Sequence, residues 1–155
     1  MLFGDSKHNK WVQTSLHYLP DEVFEEIRGK VAFTNLASDA CRLASKVCKF
    51  EEIIIFSPWI LPDAFFTETD KVAKYFIFCV LHEIAHVYLK HDPPNELTLG
   101  DNQKQENEAD NLAMEWFNKH ATNNASKGLN TITIGEIRAQ EEINRNKVLS
   151  IIEKD

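Results

Sequence analysis

The chain has 155 residues, of which 43% are hydrophobic and 26% charged, a size and balance that fit one globular domain with its own core and exclude a disordered or fibrous chain. Acidic residues outnumber basic ones 24 to 17 for a formal charge of −7, which argues against a phosphate-binding surface and against nucleic acid as a partner, while leaving a protein partner open. Cys41, Cys48 and Cys79 are widely spaced, and Met1 to His8 lacks the apolar stretch of a secretory signal, so reduced thiols and a cytoplasmic location are expected.

Val12 to Tyr18 alternates loosely and predicts a half-buried strand, after which Pro20-Asp21-Glu22 opens a short helix to about Arg28. Lys30 to Thr34 reads as a second strand. Ser38 is placed to cap a helix whose apolar positions Ala40, Cys41, Leu43, Ala44 and Val47 repeat at helical spacing. On such a helix Cys41 and Cys48 lie about 10 Å apart along the axis, too far to bond or chelate together, so both read as core.

Glu52 to Ser57 is the strongest strand signal, a β-branched run ended by Ser57-Pro58 and a Pro-bounded loop, Trp59 to Pro62. Thr67, with Asp70 three residues later, caps a long helix ending near Lys90, stopped by Pro93 and Pro94. After a loop through Gly100, Lys104 to Asn118 is amphipathic, with Ala109, Leu112, Ala113, Trp116 and Phe117 on one stripe. A polar linker, Thr122 to Gly128, leads to a short apolar run at Thr131 to Ile134. Thr133 and Glu136 then form a capping box that starts a charged helix toward Ile152. Strands first and helices after make an α+β fold, one domain over residues 1–155 with its core at about 11–120 and a C-terminal helix at about 134–153.

The chemistry sits in His82-Glu83-Ile84-Ala85-His86. One helical turn separates the two histidines, so both rings leave one face and can grip one metal ion with Glu83 beside them, the layout of a zinc hydrolase. From Val72 to Leu89 the segment is apolar nearly all round, which marks a buried central helix. Two imidazoles and a carboxylate sunk there cost several kcal/mol in rough terms unless each finds a partner, and a metal supplies one. The uncharged run before His82 is well short of the roughly 20 residues that a bilayer requires.

A catalytic zinc takes three protein ligands and a water, so a third donor is needed. At about 100° per residue on the following helix, Glu106 and Asp110 fall at the edge of the apolar stripe while Glu108 points toward solvent. Glu106 can therefore coordinate the ion, and Asp110 can accept the free N–H of a ligand histidine, His82 by preference, and hold its ring. Asp92, ten positions after His82, is the alternative ligand, where the metzincin pattern puts its third donor. That pattern needs a bend at a glycine three residues past the second histidine, and Leu89 stands there. His91 projects from another face and reads as a helix C-terminal cap. Cys79, one turn before His82, could offer sulfur but reads as a small buried hydrophobe. As a donor to steady the oxyanion of the reaction, His120 on the inner face of the second helix lies about 21 Å beyond Glu106, too far to serve.

These residues resemble the gluzincins, whose signatures are H-E-x-x-H and, some twenty residues on, a helix bearing E-x-x-A-D, here Glu106-Asn107-Glu108-Ala109-Asp110. The second helix is also similar to the E-x-E-A-(N/D)-x-x-A element of the ImmA/IrrE family of small cytoplasmic metallopeptidases, matched by Glu106, Glu108, Ala109, Asp110 and Ala113, although the following Met114 to Asn118 lacks that family's Leu-Leu-Met-Pro-like ending. HtpX-like membrane peptidases share E-x-x-A-D, but their transmembrane helices have no counterpart here. The resemblance covers about residues 70 to 117 and implies zinc at His82, His86 and Glu106, with Glu83 as catalytic base.

The expected activity is hydrolysis of peptide bonds in a protein or peptide substrate, with Glu83 moving the water's proton to the leaving amine. The substrate backbone is expected to add along an exposed strand edge near Ile53 to Ser57. The rival reading is a non-catalytic zinc protein that binds a partner on the same scaffold, in which Glu83 would be dispensable.

Overall fold

The computed structural model describes residues 2–3, 6–35, 40–44, 50–57, 60–63 and 65–152. Ser38, Val47, Cys48, Pro58 and Trp59, all named above, lie outside the described residues. The chain runs β1 (Leu2–Phe3), α1 (Ser6–Leu16), α2 (Asp21–Ile27), β2 (Val31–Asn35), β3 (Ala40–Ala44), β4 (Glu52–Phe56), α3 (Lys71–Tyr88), α4 (Leu99–Asn123) and α5 (Ile134–Ile152). It is an α+β arrangement.

The four strands lie in the order β1-β2-β4-β3. β1 pairs parallel with β2 and β2 parallel with β4, whereas β3 runs antiparallel to β4, Ala40 opposite Phe56 and Ala44 opposite Glu52. The β-branched run of β4 therefore occupies an interior position, with Ile54, Ile55 and Phe56 buried. This corrects the expected substrate edge at Ile53 to Ser57, because β2 and β3 take both sides of β4. The sheet edge next to it is β3.

Two further expectations fail. Val12 to Tyr18 is not a strand: α1 runs from Ser6 through Leu16, burying His8, Trp11, Val12 and Ser15. Those four positions follow helical spacing, which the alternation of seven residues concealed, and Ser15 and Thr14 return their hydroxyls to Trp11 O and Lys10 O within the same helix. Ala40 to Ala44 is not helical either. Its backbone is taken up by β4 along all five residues, and a run this short cannot establish a helical repeat against that ladder. With α1 and α2 ahead of β2, the order is not strands first.

α3 is the centre of the molecule, as its apolar composition demands. Ala73, Ile77, Val80, Leu81, Ile84 and Ala85 are fully buried, Phe56 of β4 meets Phe76 with ring centroids 5.2 Å apart, and α1, α2, α4 and α5 all touch it. Thr67 donates its N–H and hydroxyl to Asp70 Oδ2 at 2.7 and 3.0 Å, closing the turn from which α3 starts. Pro93 and Pro94 do not stop it, because the helix ends at Tyr88 in a reversal of its own. Lys90 N–H donates to Val87 O at 3.1 Å and His91 N–H to His86 O at 3.0 Å, the paired bonds of a Schellman ending, with Lys90 at φ 57°. Glycine normally holds that left-handed position, and lysine there costs about 1 kcal/mol.

α4 starts five residues earlier than expected because Thr98 caps it: its Oγ1 accepts from Asp101 N–H at 3.2 Å. The Thr133 box forms as read, with Thr133 N–H donating to Glu136 Oε2 at 2.8 Å and Glu136 N–H to Thr133 Oγ1 at 3.3 Å. Among the described residues no helix is long and apolar enough to cross a membrane.

Candidate metal centre

α3 and α4 lie side by side, and the buried side of α3 fixes how it is turned. With Leu81, Ile84 and Ala85 fully inside, His82 and His86 leave toward α4, their side chains 15% and 12% exposed. The Nε2 atoms of the two rings stand 3.0 Å apart. Glu106 of α4 puts Oε2 3.4 Å from His82 Nε2 and Oε1 3.6 Å from His86 Nε2. Tetrahedral coordination with bonds of about 2.0–2.1 Å has edges of about 3.3–3.4 Å, and these separations lie around that value, so the three side chains could hold one small metal ion between them. Among the described residues this is the one group of three or more histidine, cysteine or acidic side chains so arranged.

Each histidine is backed by a further group. Asp110 Oδ1 lies 2.9 Å from His82 Nδ1, close but off the ring N–H direction, since both atoms are buried without an aligned hydrogen bond. Asp110 itself is 6% exposed, and its other oxygen accepts from Arg138 Nη2 of α5, whose Nη1 donates to Glu141 at 3.0 Å. Behind His86 stands His91, with the two Nδ1 atoms 2.9 Å apart and His91 Nε2 3.2 Å from Glu108 Oε2.

Burial opposes a charge on His82, but the carboxylates of Asp110, Glu106 and Glu83 outweigh it and raise its pKa to about 9. The hydrogen bond from His82 in turn lowers the pKa of Glu106, against the effect of burial.

A cleft of about 300 Å³ opens beside the donors, with Glu83, Cys79 and Phe78 of α3 on one wall and Ile137, Arg138 and Asn144 of α5 on the other. Glu83 thus faces the same space as His82 and Glu106. Asp92 is exposed beyond the end of α3 and does not join the converging group. Cys79 is half-buried at the cleft wall and is likewise outside the group. His120 stacks on Tyr18 at 4.0 Å and lines a different hollow.

Three participants were missed by sequence reasoning. His91 was read as a helix cap and Glu108 as pointing away, yet Glu108, 47% exposed, reaches His91 from the flank of α4. Arg138 carried no signal, because nothing local in α5 announces that it meets α4.

Two histidines one turn apart on a buried helix, a glutamate from its neighbour and a second carboxylate facing the cleft define the class of site built around H-E-x-x-H. The family described as Peptidase U49 matches residues 69–152, more than half of the chain and all of α3, α4 and α5, and the chain belongs to that family. No curated protein matches it, and no solved structure does.

Proposed function

We propose that the protein is a zinc-dependent metallopeptidase with a gluzincin-type donor set of His82, His86 and Glu106, similar in this respect to the ImmA/IrrE peptidases, and that Glu83 is its general base. The observation that carries the reading is the convergence of the three side chains, with the two Nε2 atoms 3.0 Å apart and one oxygen of Glu106 within 3.4–3.6 Å of each. Membership of a peptidase family supports protein or peptide as the substrate class. Bound there, zinc supplies a Lewis acid for the scissile carbonyl and brings the pKa of water toward about 7. Glu83 takes the proton of the attacking water and returns it to the leaving amine nitrogen as the peptide bond breaks. Asp110, braced by Arg138, holds the His82 ring.

Metal analysis of the purified protein together with a Glu83→Gln variant tests this. One zinc per chain in both proteins, with peptide hydrolysis reduced by a factor of 10² or more in the variant, is the expected result. Undiminished biological activity in a zinc-loaded variant would point instead to a partner-binding zinc protein. A chain that takes up no zinc from replete medium would overturn both readings.

A further inference from the structure

The reversal at the end of α3 builds a side chain into the metal centre that the H-E-x-x-H pattern does not contain. Lys90, held left-handed, turns the chain so that His91 folds back over the last turn of its own helix. Its side chain is 7% exposed, and its ring meets that of His86 at a centroid distance of 4.9 Å and a steep 72° angle, with Nδ1 facing Nδ1 at 2.9 Å. On the far side, Glu108 Oε2 receives His91 Nε2 at 3.2 Å.

We propose that His91, oriented by Glu108, is a positioning residue that fixes the tautomer and orientation of His86 for metal binding. The proposal rests on the zinc reading above. The direction of every bond follows from chemistry. His86 offers Nε2 toward Glu106 and His82, so its ring proton sits on Nδ1 and can only be donated. His91 Nδ1 must then accept, which places the His91 proton on Nε2, from which it is donated to the Glu108 carboxylate as a hydrogen bond. One orientation of donors satisfies the whole row. The other tautomer of His86 would set its Nε2–H against the cation.

This also explains why a lysine is kept in a conformation suited to glycine: without that reversal His91 would leave the end of α3 facing away from His86. The two ligand histidines are therefore steadied differently, His82 by an anion that Arg138 braces and His86 by a neutral ring that an anion orients.

The test is zinc affinity, measured by competition with a chromophoric chelator, on wild type, His91→Phe, His91→Asn and Glu108→Leu. Phenylalanine fills the space of the ring without an acceptor, while asparagine keeps an oxygen close to the Nδ1 position. Loss of 10- to 100-fold in affinity for His91→Phe, recovery of most of it in His91→Asn, and a smaller loss in Glu108→Leu are expected. Thermal unfolding of the chelated proteins checks that each is folded. Affinity unchanged in a folded His91→Phe, or asparagine no better than phenylalanine, would overturn the proposal while leaving the zinc reading intact. Should His91→Phe fail to fold, Glu108→Leu at its half-exposed position decides alone, and wild-type affinity there overturns the relay. A wild-type chain that binds no zinc removes the metal centre and this proposal together.

Discussion

His82 is the side chain through which pH acts most directly on this molecule. Its pKa rises from 6.5 to about 9 in the fold, against the pull of burial, because Asp110, Glu106 and Glu83 surround it. A raised pKa stabilises the folded state below the unfolded value and loses that contribution as pH climbs through the folded one. The chelated protein should therefore be most favoured by His82 below about pH 6.5 and lose on the order of 2–3 kcal/mol by pH 9. Metal uptake runs the other way, since His82 must shed its proton before Nε2 can coordinate, so apparent affinity should climb toward pH 9. Melting curves of the chelated protein at pH 6 and pH 9 check the first half, and a flat Tm across that window would contradict the assigned surroundings of His82. Little of this was visible in the residues alone: the paired histidines and the inward glutamate were legible because helical spacing fixes which face they share. The turn at Lys90 was hidden because no glycine marks its left-handed position, and the reach of Arg138 depends on tertiary placement, which no local pattern encodes.

At the scale of elements, α3 carries the consequences of packing. Ile84 sits between His82 and His86 in sequence and points the opposite way, fully buried. Ile84→Ala should cost about 2–5 kcal/mol of stability, read by denaturant unfolding. A cost below about 1 kcal/mol would mean that α3 is not the buried axis of the fold. The long periodic elements were legible for the same reason, since α3, α4 and α5 each repeat their apolar or capping signals over several turns. The short ones were not. α1 was mistaken because its helical face begins at His8, inside a polar stretch, and β3 because its conformation is imposed by pairing with β4. Thr98 was overlooked as a cap because Gly100 in the first turn of α4 looked like loop.

For the whole molecule, the donors come from two helices that the metal would tie together, so occupancy and stability are linked. Zinc at about a thousandfold excess over its dissociation constant should add about 4 kcal/mol, seen as a higher Tm than in chelator and abolished when Glu106 is replaced by alanine. Glu83→Gln should retain that gain, because its carboxylate is outside the donor set. Equal melting temperatures with and without zinc would show that the folded chain does not bind zinc in preference to the unfolded one, and would contradict the proposed donor set. Family membership extends across α5 as well as the two metal helices, which accords with Arg138 reaching from α5 onto Asp110.

α4 presents acidic groups at 106, 108 and 110, and each has its own destination: the paired imidazole nitrogens, His91 and His82. They are teeth of one rigid comb. A slide of α4 along α3 by half a turn would pull all three teeth out of their slots together, so the centre cannot be loosened by degrees. A shift of this one helix would break the three contacts at once.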